Sequence, residues 1–427
     1  MSKLPDPSPR SAIALRIANS RGPINHLRSR RYGLDTMLGR PPVLELYYET
    51  GDPHSHLCAQ LLPSLAARLK CPLRVLTVPA PSEASYPEAD KQRGFALIDA
   101  KRIAPAWGLD FPHQAVLPDP VKRSVAAQRL VAIQDPQAFA KQEAELAAAL
   151  FTNLGINASA DSKQAQGQLA HNAKRRSWLG HYLPGMWQFN GEWFWGLDRL
   201  DILEQRLRDK NLLEGQEPII TLKPEAAKLP ALEPGQPLEF FFSFRSPYSY
   251  LAALDMQKLA STLATDLNIR PVLPMAMRGL PVPLEKRLYI VRDVKRRADQ
   301  AGYAFGRIAD PIGAGAERCL NCFPLAKDTT QQLQYLTAAG TAIWSQGVDV
   351  ATDAGLQYVI ETAGMDWPSA KAKLDAGLDL DYAENNRQAL FGAGLWGVPS
   401  FRIGSFATWG QDRIWMVSEM LKREGKI

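Results

Sequence analysis

The chain has 427 residues, too many for one compact core and enough for two or three domains. Its hydrophobic content of 46% and charged content of 22% are those of globular proteins, which excludes bulk disorder and a fibrous rod. The net charge of +6 suggests nucleic-acid binding, but residues 1–42 hold eight Lys and Arg against two Asp, so the remainder is neutral.

Residues 1–42 are predicted to form a basic arm. A nucleic-acid-binding domain spreads its basic residues over a folded face, so the sequence argues against nucleic acid as a partner and favours a solvated or dimer-packing arm. The apolar run Ala12–Ala18 is interrupted by Arg16, and no stretch of 18 apolar residues occurs. We expect neither a membrane helix nor a secretory signal. Four cysteines are too few for a disulfide framework and favour the cytoplasm.

The first predicted domain covers residues 43–211. Leu44–Leu57 has the pattern of a buried strand, a turn with proline and the start of a helix. A long helical pattern, Val125–Leu154, follows, and Pro184–Leu200 predicts a β-hairpin that leads into a helix at its Asp-Arg pair. The domain therefore begins with a strand-turn-helix segment and ends with a hairpin and a helix.

Residues 212–237 contain five prolines and predict an interdomain linker. Residues 238–427 then repeat the first domain. Leu238–Leu251 aligns without gaps on Leu44–Leu57, and the far end of the second copy, which begins at Pro399, resembles the far end of the first. This internal repeat predicts an α/β chain of two tandem thioredoxin-like domains, each with a helical insertion.

Two serines mark the first turn of the second copy. Ser246 and Ser249 have the spacing of the two cysteines in a C-x-x-C motif, the site of thioredoxin-type redox chemistry. Serine cannot form a disulfide, but a hydroxyl at a helix N-terminus can donate a hydrogen bond to a bound thiolate, which the helix dipole also favours. The alternative is that Ser246 only caps the helix.

The second copy resembles the 2-hydroxychromene-2-carboxylate isomerases and the kappa-class glutathione transferases, which are DsbA-like members of the thioredoxin superfamily. Phe244–Ala252 is similar to their F-x-S-P-Y-S-Y/W-L signature, and Gly397–Phe401 and Trp409–Arg413 are similar to their G-V-P-T/S-F and W-G-Q-D-R motifs. The resemblance covers essentially all of the second copy and, more faintly, the first. It implies the DsbA-like fold for both.

The resemblance implies a glutathione site. Ser246 would hold and activate the glutathione sulfur. Val398, which precedes a cis Pro399, would pair its backbone with the cysteinyl residue, and a cis bond is also expected before Pro184 in the first copy. Because such bonds are uncommon, each would be a specific feature of the hairpin start.

The same resemblance places the two ends of the tripeptide. Gln411 and Asp412 would receive the γ-glutamyl end, with the Asp412 carboxylate meeting the ammonium, although Asp412 could equally serve as a helix-terminal cap. Lys286 falls where the family has a lysine for the substrate or the glycine carboxylate, and its alternative role is a solvated surface lysine.

Some positions depart from the family pattern. Family members usually have Asp at the position of Ser243 and a small or apolar residue at that of Arg245, and the loop 277–283 is short. Arg245 could supplement anion binding or pair with a surface carboxylate. The pocket for an aromatic substrate is therefore the weakest part of the resemblance.

The first copy has Asp52 at the position of Ser246. A carboxylate repels a thiolate and donates no proton at neutral pH, so we expect no glutathione site of this kind there. Asp52, His54 and His56 could suggest a metal ion, but three polar residues on one turn are as compatible with surface histidines and an Asp cap. We predict no metal.

The literal C-x-x-C motif, Cys319 to Cys322, lies in the helical insertion of the second copy and not at the thioredoxin turn. We interpret these residues as ordinary thiols, with an incidental disulfide as the alternative. Cys58 and Cys71 are predicted to be small core residues.

The resemblance implies a glutathione-dependent isomerase or transferase that acts on a small aromatic or conjugated carboxylate. The alternatives are a DsbA-like thiol-disulfide oxidoreductase, against which Ser246 argues, and a redox-inactive relative that acts as a binding or scaffold protein. The family resemblance also implies dimers, so the chain is expected to form a homodimer or an intramolecular pseudo-dimer.

Overall fold

The computed structural model describes residues 3–19, 42–81, 86–156, 162–231, 235–263, 265–280 and 282–425. They form two compact units: the N-terminal unit within Arg21–Lys228 and the C-terminal unit within Leu229–Ile427. Helix α1 (Ser11–Asn19) belongs to the C-terminal unit. In the described ranges no helix is both long and apolar enough to span a bilayer.

The N-terminal unit has one sheet and seven described α-helices. Its elements in chain order are β1 (Leu44–Tyr48), α2 (Pro53–Ala59), α3 (Leu62–Arg68), β2 (Leu73–Thr77), α4 (Ala89–Ile103), α5 (Pro120–Leu130), α6 (Pro136–Phe151), α7 (Lys163–Trp178), β3 (Met186–Phe189), β4 (Glu192–Trp195) and α8 (Leu200–Arg208). Four of the helices, α4 to α7, lie between β2 and β3 in sequence.

The C-terminal unit repeats this order with a longer insertion. After α1 its elements are β5 (Leu238–Phe242), α9 (Pro247–Ala260), β6 (Leu267–Pro271), α10 (Leu284–Ala301), α11 (Ala314–Cys322), α12 (Thr329–Thr341), α13 (Asp353–Thr362), α14 (Trp367–Asp375), α15 (Asp381–Gly392), β7 (Ser400–Ile403), β8 (Phe406–Trp409) and α16 (Ile414–Arg423). Six helices, α10 to α15, separate β6 from β7.

The two sheets share one topology. The strand orders are β2-β1-β3-β4 and β6-β5-β7-β8. In each sheet the first two strands in sequence are parallel, with Leu44 opposite Leu73 and Leu238 opposite Leu267, and the remaining pairs are antiparallel. The predicted mixed α/β architecture is therefore observed in both units, while common descent of the two units stays a prediction.

The central strands β1 and β5 are buried along their whole length, as their aromatic and aliphatic residues predict. Each has a buried glutamate at its second position, and a buried carboxylate requires a charged partner. Glu45 lies 2.7 Å from the Arg175 guanidinium. Glu239 lies 2.6 Å from Arg270 and also pairs with Arg402.

Several helices begin with a capping residue followed by proline. Asp52, Asp119, Asp135 and Ser246 each accept a hydrogen bond from a backbone N–H in the first turn of α2, α5, α6 and α9. The side-chain oxygen satisfies a donor that the helix leaves open, and proline has no N–H to lose there. This local pattern fixes where the helix after each central strand starts.

The proline-rich segment 212–237 differs from a free linker. Its residues up to Lys228 belong to the N-terminal unit. The Arg68 side chain donates hydrogen bonds to the carbonyls of Glu214, Glu217 and Pro218, and Lys223 N donates to Ala106 O at 2.7 Å. Composition alone did not predict this docking because the contacts are made by backbone carbonyls, which every residue has.

Part of the predicted basic arm is also folded. Ser8 N donates to Gly347 O at 2.7 Å, and α1 packs on α10. Ser11 and Ala18 are buried there. The most arginine-rich part of the arm, within residues 20–41, lies outside the described residues, so the predictions for it stay open.

Candidate active site

The first turn of α9 positions Ser246 beyond the carboxyl end of β5. Its backbone is extended, with φ −103° and ψ 112°, and its Oγ accepts a hydrogen bond from Ser249 N at 3.1 Å. Ser246 is thus the N-cap of a 14-residue helix. Capping uses one lone pair of the hydroxyl, and its proton is donated to another acceptor, Val398 O.

The Val398–Pro399 peptide bond is cis, as predicted. The Ser246 hydroxyl donates a hydrogen bond to Val398 O at 3.4 Å, so the fold brings together these two residues, which are 152 positions apart. Among the described residues no other peptide bond is cis, and the expectation for Pro184 is wrong. The chain instead enters β3 through Gly185, whose φ of +64° lies in the left-handed region that favours glycine.

Gln411 and Asp412 lie in a single 3₁₀ turn, Gln411–Arg413, between β8 and α16. The Gln411 amide donates to Asp412 Oδ1, and Arg297 Nε of α10 lies 3.6 Å from the same oxygen. The N-cap residue of α16 is Arg413 and not Asp412. The Asp412 carboxylate is therefore paired with the Arg297 guanidinium and is not the N-cap of α16.

Lys286 lies in the first turn of α10 and is half-buried. Burial lowers the pKa of its ammonium group, because removal from water disfavours the charged form. Its assignment to a carboxylate of the ligand stays a prediction.

Arg245 resolves one alternative left open by the sequence. Its guanidinium makes two parallel hydrogen bonds to the Asp310 carboxylate, at 2.7 and 2.8 Å. This bidentate geometry is the strong form of an arginine–carboxylate contact. Arg245 therefore pairs with a carboxylate and ties the turn before α9 to the loop before α11.

Sequence reasoning missed a buried network beside Ser246. Asp293 of α10 is fully buried and accepts hydrogen bonds from the Tyr248 hydroxyl at 2.7 Å and from Arg296 at 2.9 Å. The network fixes the first turn of α9 against the middle of α10. Its only sequence signal is a lone acidic residue in an otherwise arginine-rich stretch of helix.

Ser243, at the position where the family usually has Asp, is also buried. Its Oγ has no hydrogen-bond partner, while its backbone N donates to Ser249 Oγ at 3.4 Å. Three serine hydroxyls, those of Ser243, Ser246 and Ser249, therefore follow β5 at three-residue intervals.

The corresponding turn of the N-terminal unit is acidic. Asp52 caps α2 by accepting from Ser55 N at 2.7 Å. Glu49 is buried, and Arg123 lies 3.4 Å from its carboxylate. Burial, with the nearby Asp52 charge, raises the pKa of Glu49 to about 7. These carboxyl groups make the turn unlike that at Ser246.

The two histidines of this turn have separate carboxylate partners. His54 Nε2 lies 3.5 Å from Asp99, and His56 Nδ1 lies 2.8 Å from Glu143, which also accepts from the Tyr48 hydroxyl. Within the described ranges no three His, Cys, Asp or Glu residues come together as a metal site would require.

The four cysteines are buried and unpaired. Burial raises the pKa of Cys322 and of Cys71 to about 11, and it raises that of Cys319 further. A thiol must ionise to react, so the Cys319–Cys322 motif lacks the low pKa of redox-active cysteines.

Comparison with known proteins adds an independent observation. Residues 237–422 match the model of the DSBA-like thioredoxin domain. A 2-hydroxychromene-2-carboxylate isomerase from Pseudomonas putida is 25% identical over 201 residues, which cover 44% of this chain and 94% of that protein. An isomerase of the same name from Sphingobium xenophagum is 25% identical over 183 residues, with coverages of 42% and 93%.

Among solved structures, a 2-hydroxychromene-2-carboxylate isomerase is 22% identical over 44% of this chain and 96% of its own, with a TM-score of 0.38. The C-terminal unit thus contains a DsbA-like thioredoxin domain with low-identity homologues named as isomerases. This part of the predicted resemblance is confirmed. The kappa-class link and the tandem duplication stay predictions.

Proposed function

We propose that the C-terminal unit binds glutathione and catalyses the glutathione-dependent isomerisation of a small aromatic or conjugated carboxylate. The observation that carries the proposal is the position of Ser246: its hydroxyl caps α9 and lies 3.4 Å from Val398 O. A thiolate at this helix N-terminus would meet a hydroxyl donor, open backbone N–H groups and the positive end of the helix dipole. The isomerase homologues support the same reaction class.

The residues of the turn fit a thiol tripeptide. The Ser246 hydroxyl donates a long hydrogen bond to Val398 O, and to bind the sulfur it would turn its one proton from that carbonyl while it still accepts from Ser249 N. The backbone of Val398 lies beside that sulfur position. Asp412 presents a carboxylate for the γ-glutamyl ammonium, and Lys286 is proposed for the opposite carboxylate.

When bound, glutathione would supply a thiolate that adds to the conjugated double bond of the substrate and later leaves, so that the bond can rotate in between. Ser246 and the N-terminus of α9 keep that sulfur ionised at neutral pH. The Arg245–Asp310 pair holds the turn in place.

Calorimetric titration with glutathione tests the proposal. We expect one site per chain, because Asp52 replaces the serine in the N-terminal unit. Asp412→Ala should weaken binding by about 10-fold or more, since it removes a charge-assisted hydrogen bond. Two equal sites would overturn the assignment to the C-terminal unit, and no binding by the wild type would overturn the proposal.

The second candidate is a redox-inactive binding or scaffold protein of the DsbA-like type. Its support is the pair of serines at the C-x-x-C spacing together with the buried thiols of the C-terminal unit. A chain that binds no glutathione yet folds normally would favour it. We place either function in a reducing, cytoplasmic compartment because the four cysteines are unpaired.

A further inference from the structure

Three arginines from different helices surround the acidic turn that follows β1 in the N-terminal unit. They are Arg93 of α4, Arg123 of α5 and Arg176 of α7. Arg123 Nη1 lies 3.4 Å from the buried Glu49 carboxylate. Its side chain crosses Gly51, where a Cβ atom would lie 2.7 Å from Arg123 Cδ. The insertion helices therefore bring positive charge to this turn.

Buried N–H groups of two of these guanidiniums lack an acceptor. Arg176 is 5% exposed, and its Nη2 donates a long hydrogen bond of 3.4 Å to Pro79 O. Within the described part of the chain, Arg176 Nη1 and Arg123 Nε have no hydrogen-bond partner. A guanidinium has five donors, and a buried donor without an acceptor is costly. The cluster therefore has spare donors that an additional anion would satisfy.

The charges of the cluster do not cancel. The three guanidiniums act on two carboxylates, those of Glu49 and Asp52, which leaves one positive charge in excess. Tyr48 and Tyr86 also interact with Glu49, and both are neutral, because burial raises the pKa of each hydroxyl well above its ordinary value. A monoanion matches the single excess charge, whereas a phosphate dianion would exceed it.

We propose that this cluster is a binding site for a small organic carboxylate, held by the three guanidiniums. A carboxylate has about four lone-pair sites on two oxygens, and arginine contacts them in pairs. Asp52, Tyr86 and Arg93 are partly exposed, so solvent reaches the cluster from their side. The site lies where the other unit has Ser246, and it does not depend on glutathione binding there.

Proton uptake is the measurable consequence of such binding. Burial and the nearby Asp52 charge raise the pKa of Glu49 to about 7, although the three guanidinium charges oppose the rise. A bound carboxylate adds negative charge beside Glu49 and so favours its protonated form further. Binding should take up about half a proton at pH 7 and about one at pH 8, and the affinity should fall about 10-fold from pH 6 to pH 8.

A structural role is the alternative for these arginines. Arg123 would then only neutralise Glu49, and Arg176 would only hold the Pro79 carbonyl. A structural cluster predicts no carboxylate binding that is linked to a proton on Glu49.

Calorimetric titration with benzoate, in buffers of different ionisation enthalpy, separates the two roles because it measures affinity and proton uptake together. Benzamide is the neutral isostere and should not bind, and inorganic phosphate should not displace benzoate. Arg93→Gln should weaken benzoate binding about 10-fold or more, since it removes a charge-assisted contact. Glu49→Gln should bind benzoate without proton uptake, about 10-fold more tightly than the wild type at pH 8 and equally at pH 5.

Arg74→Gln provides the matched control, because Arg74 is exposed on β2 of the same unit. It should bind benzoate as the wild type does. The inference is overturned if benzoate does not bind, if benzamide binds equally, if phosphate displaces benzoate, or if Arg93→Gln leaves the affinity unchanged. Proton uptake that persists in Glu49→Gln would also overturn it. None of these outcomes involves glutathione, so each leaves the proposed function of the C-terminal unit intact.

Discussion

At the scale of single residues, the Ser246 hydroxyl has two possible tasks that differ in their measurable consequences. As a cap it stabilises α9 through Ser249 N. As a donor to a thiolate it would lower the pKa of the bound sulfur. The geometry allows both, because the two tasks use different parts of the hydroxyl group.

We expect Ser246→Ala to lower activity about 10- to 1,000-fold and to raise the pKa of the bound thiol by about one unit, because the substitution removes one donor and leaves the helix dipole in place. The lost cap should also cost ~1 kcal/mol of stability. Thiolate absorbance against pH, together with the free energy of unfolding, measures both effects.

Thr352→Ala is the control for capping alone. Thr352 caps α13 by accepting from Gly355 N at 3.1 Å, the same distance as at Ser246. It should lose ~1 kcal/mol of stability with activity unchanged. A Ser246→Ala protein that behaves like Thr352→Ala would show that the serine is only a cap.

The raised pKa of Glu49 predicts that the stability of the N-terminal unit depends on pH. Its carboxyl has a pKa of about 7 in the folded unit against an ordinary value of 4.5, so folding favours the protonated form. Its contribution to stability is full below about pH 4.5 and is lost as the pH rises to about 7. Glu49→Gln should therefore stabilise the protein on the order of 3 kcal/mol at pH 8 and about 1 kcal/mol at pH 5.

Urea unfolding at the two pH values measures this difference. Glu145→Gln, at an exposed position of α6, should change neither value. If the gain at Glu49→Gln is the same at pH 5 and pH 8, the carboxyl does not titrate in this range and its raised pKa is wrong.

Local motifs indicated some site residues and could not indicate others. Ser246, Pro399 and Asp412 belong to short contiguous patterns, so the sequence alone singled them out. Arg297 and Asp293 act through contacts with elements more than 40 residues away along the chain. Such contacts depend on how helices pack, which no local pattern records.

At the scale of elements, α9 and α12 pack closely because of one glycine. A Cβ atom at Gly340 would overlap the Tyr250 ring. Tyr250 is buried, and its hydroxyl donates to Ala304 O at 3.1 Å, so the ring has little freedom to move. The insertion helix α12 thus packs directly against α9, the helix whose N-terminus forms the proposed site.

Gly340→Ala should therefore destabilise the C-terminal unit by about 1–3 kcal/mol, despite the higher helix propensity of alanine. Gly167→Ala in α7 is the opposite case, since a Cβ there meets no atom within 4 Å. It should stabilise α7 by up to ~1 kcal/mol. Thermal unfolding of both variants measures the contrast, and a stabilised Gly340→Ala protein would contradict the packing argument.

The order of elements was more predictable than their boundaries. The aligned segments at Leu44 and Leu238 predicted two equivalent buried strands, and both are observed. The segment after residue 212 was assigned to a linker from its prolines, but Arg68 binds it to the N-terminal unit. Proline content shows where a chain avoids regular structure and does not show where it is docked.

At the scale of the whole molecule, the C-terminal unit contains residues from both sides of the N-terminal unit in sequence. Ser8, three residues before α1, donates to Gly347 O, and the Leu15 side chain of α1 lies against Gly306. The basic arm and the second domain were predicted as separate regions. Their association is a long-range contact that composition could not indicate.

Ala18→Asp should release α1, because Ala18 is buried and an unpaired carboxylate there is costly. We expect the C-terminal unit to lose about 2 kcal/mol and the N-terminal unit to be unchanged. Amide hydrogen exchange should become faster in α10 and stay the same in β1. Ala12→Asp, at an exposed position of α1, is the control, and equal exchange in both variants would contradict the docking of α1.

The docking of α1 on α10 also sets an order of events during protein synthesis. Helix α1 leaves the ribosome long before α10, and at translation rates of 5–20 residues per second the delay is roughly 13–50 s. The N-terminal unit can fold within this interval, while the apolar side of α1 has no place to dock. In a nascent chain stalled before α10, the apolar side of α1 would therefore be exposed to chaperones. In the completed chain, α10 would cover it.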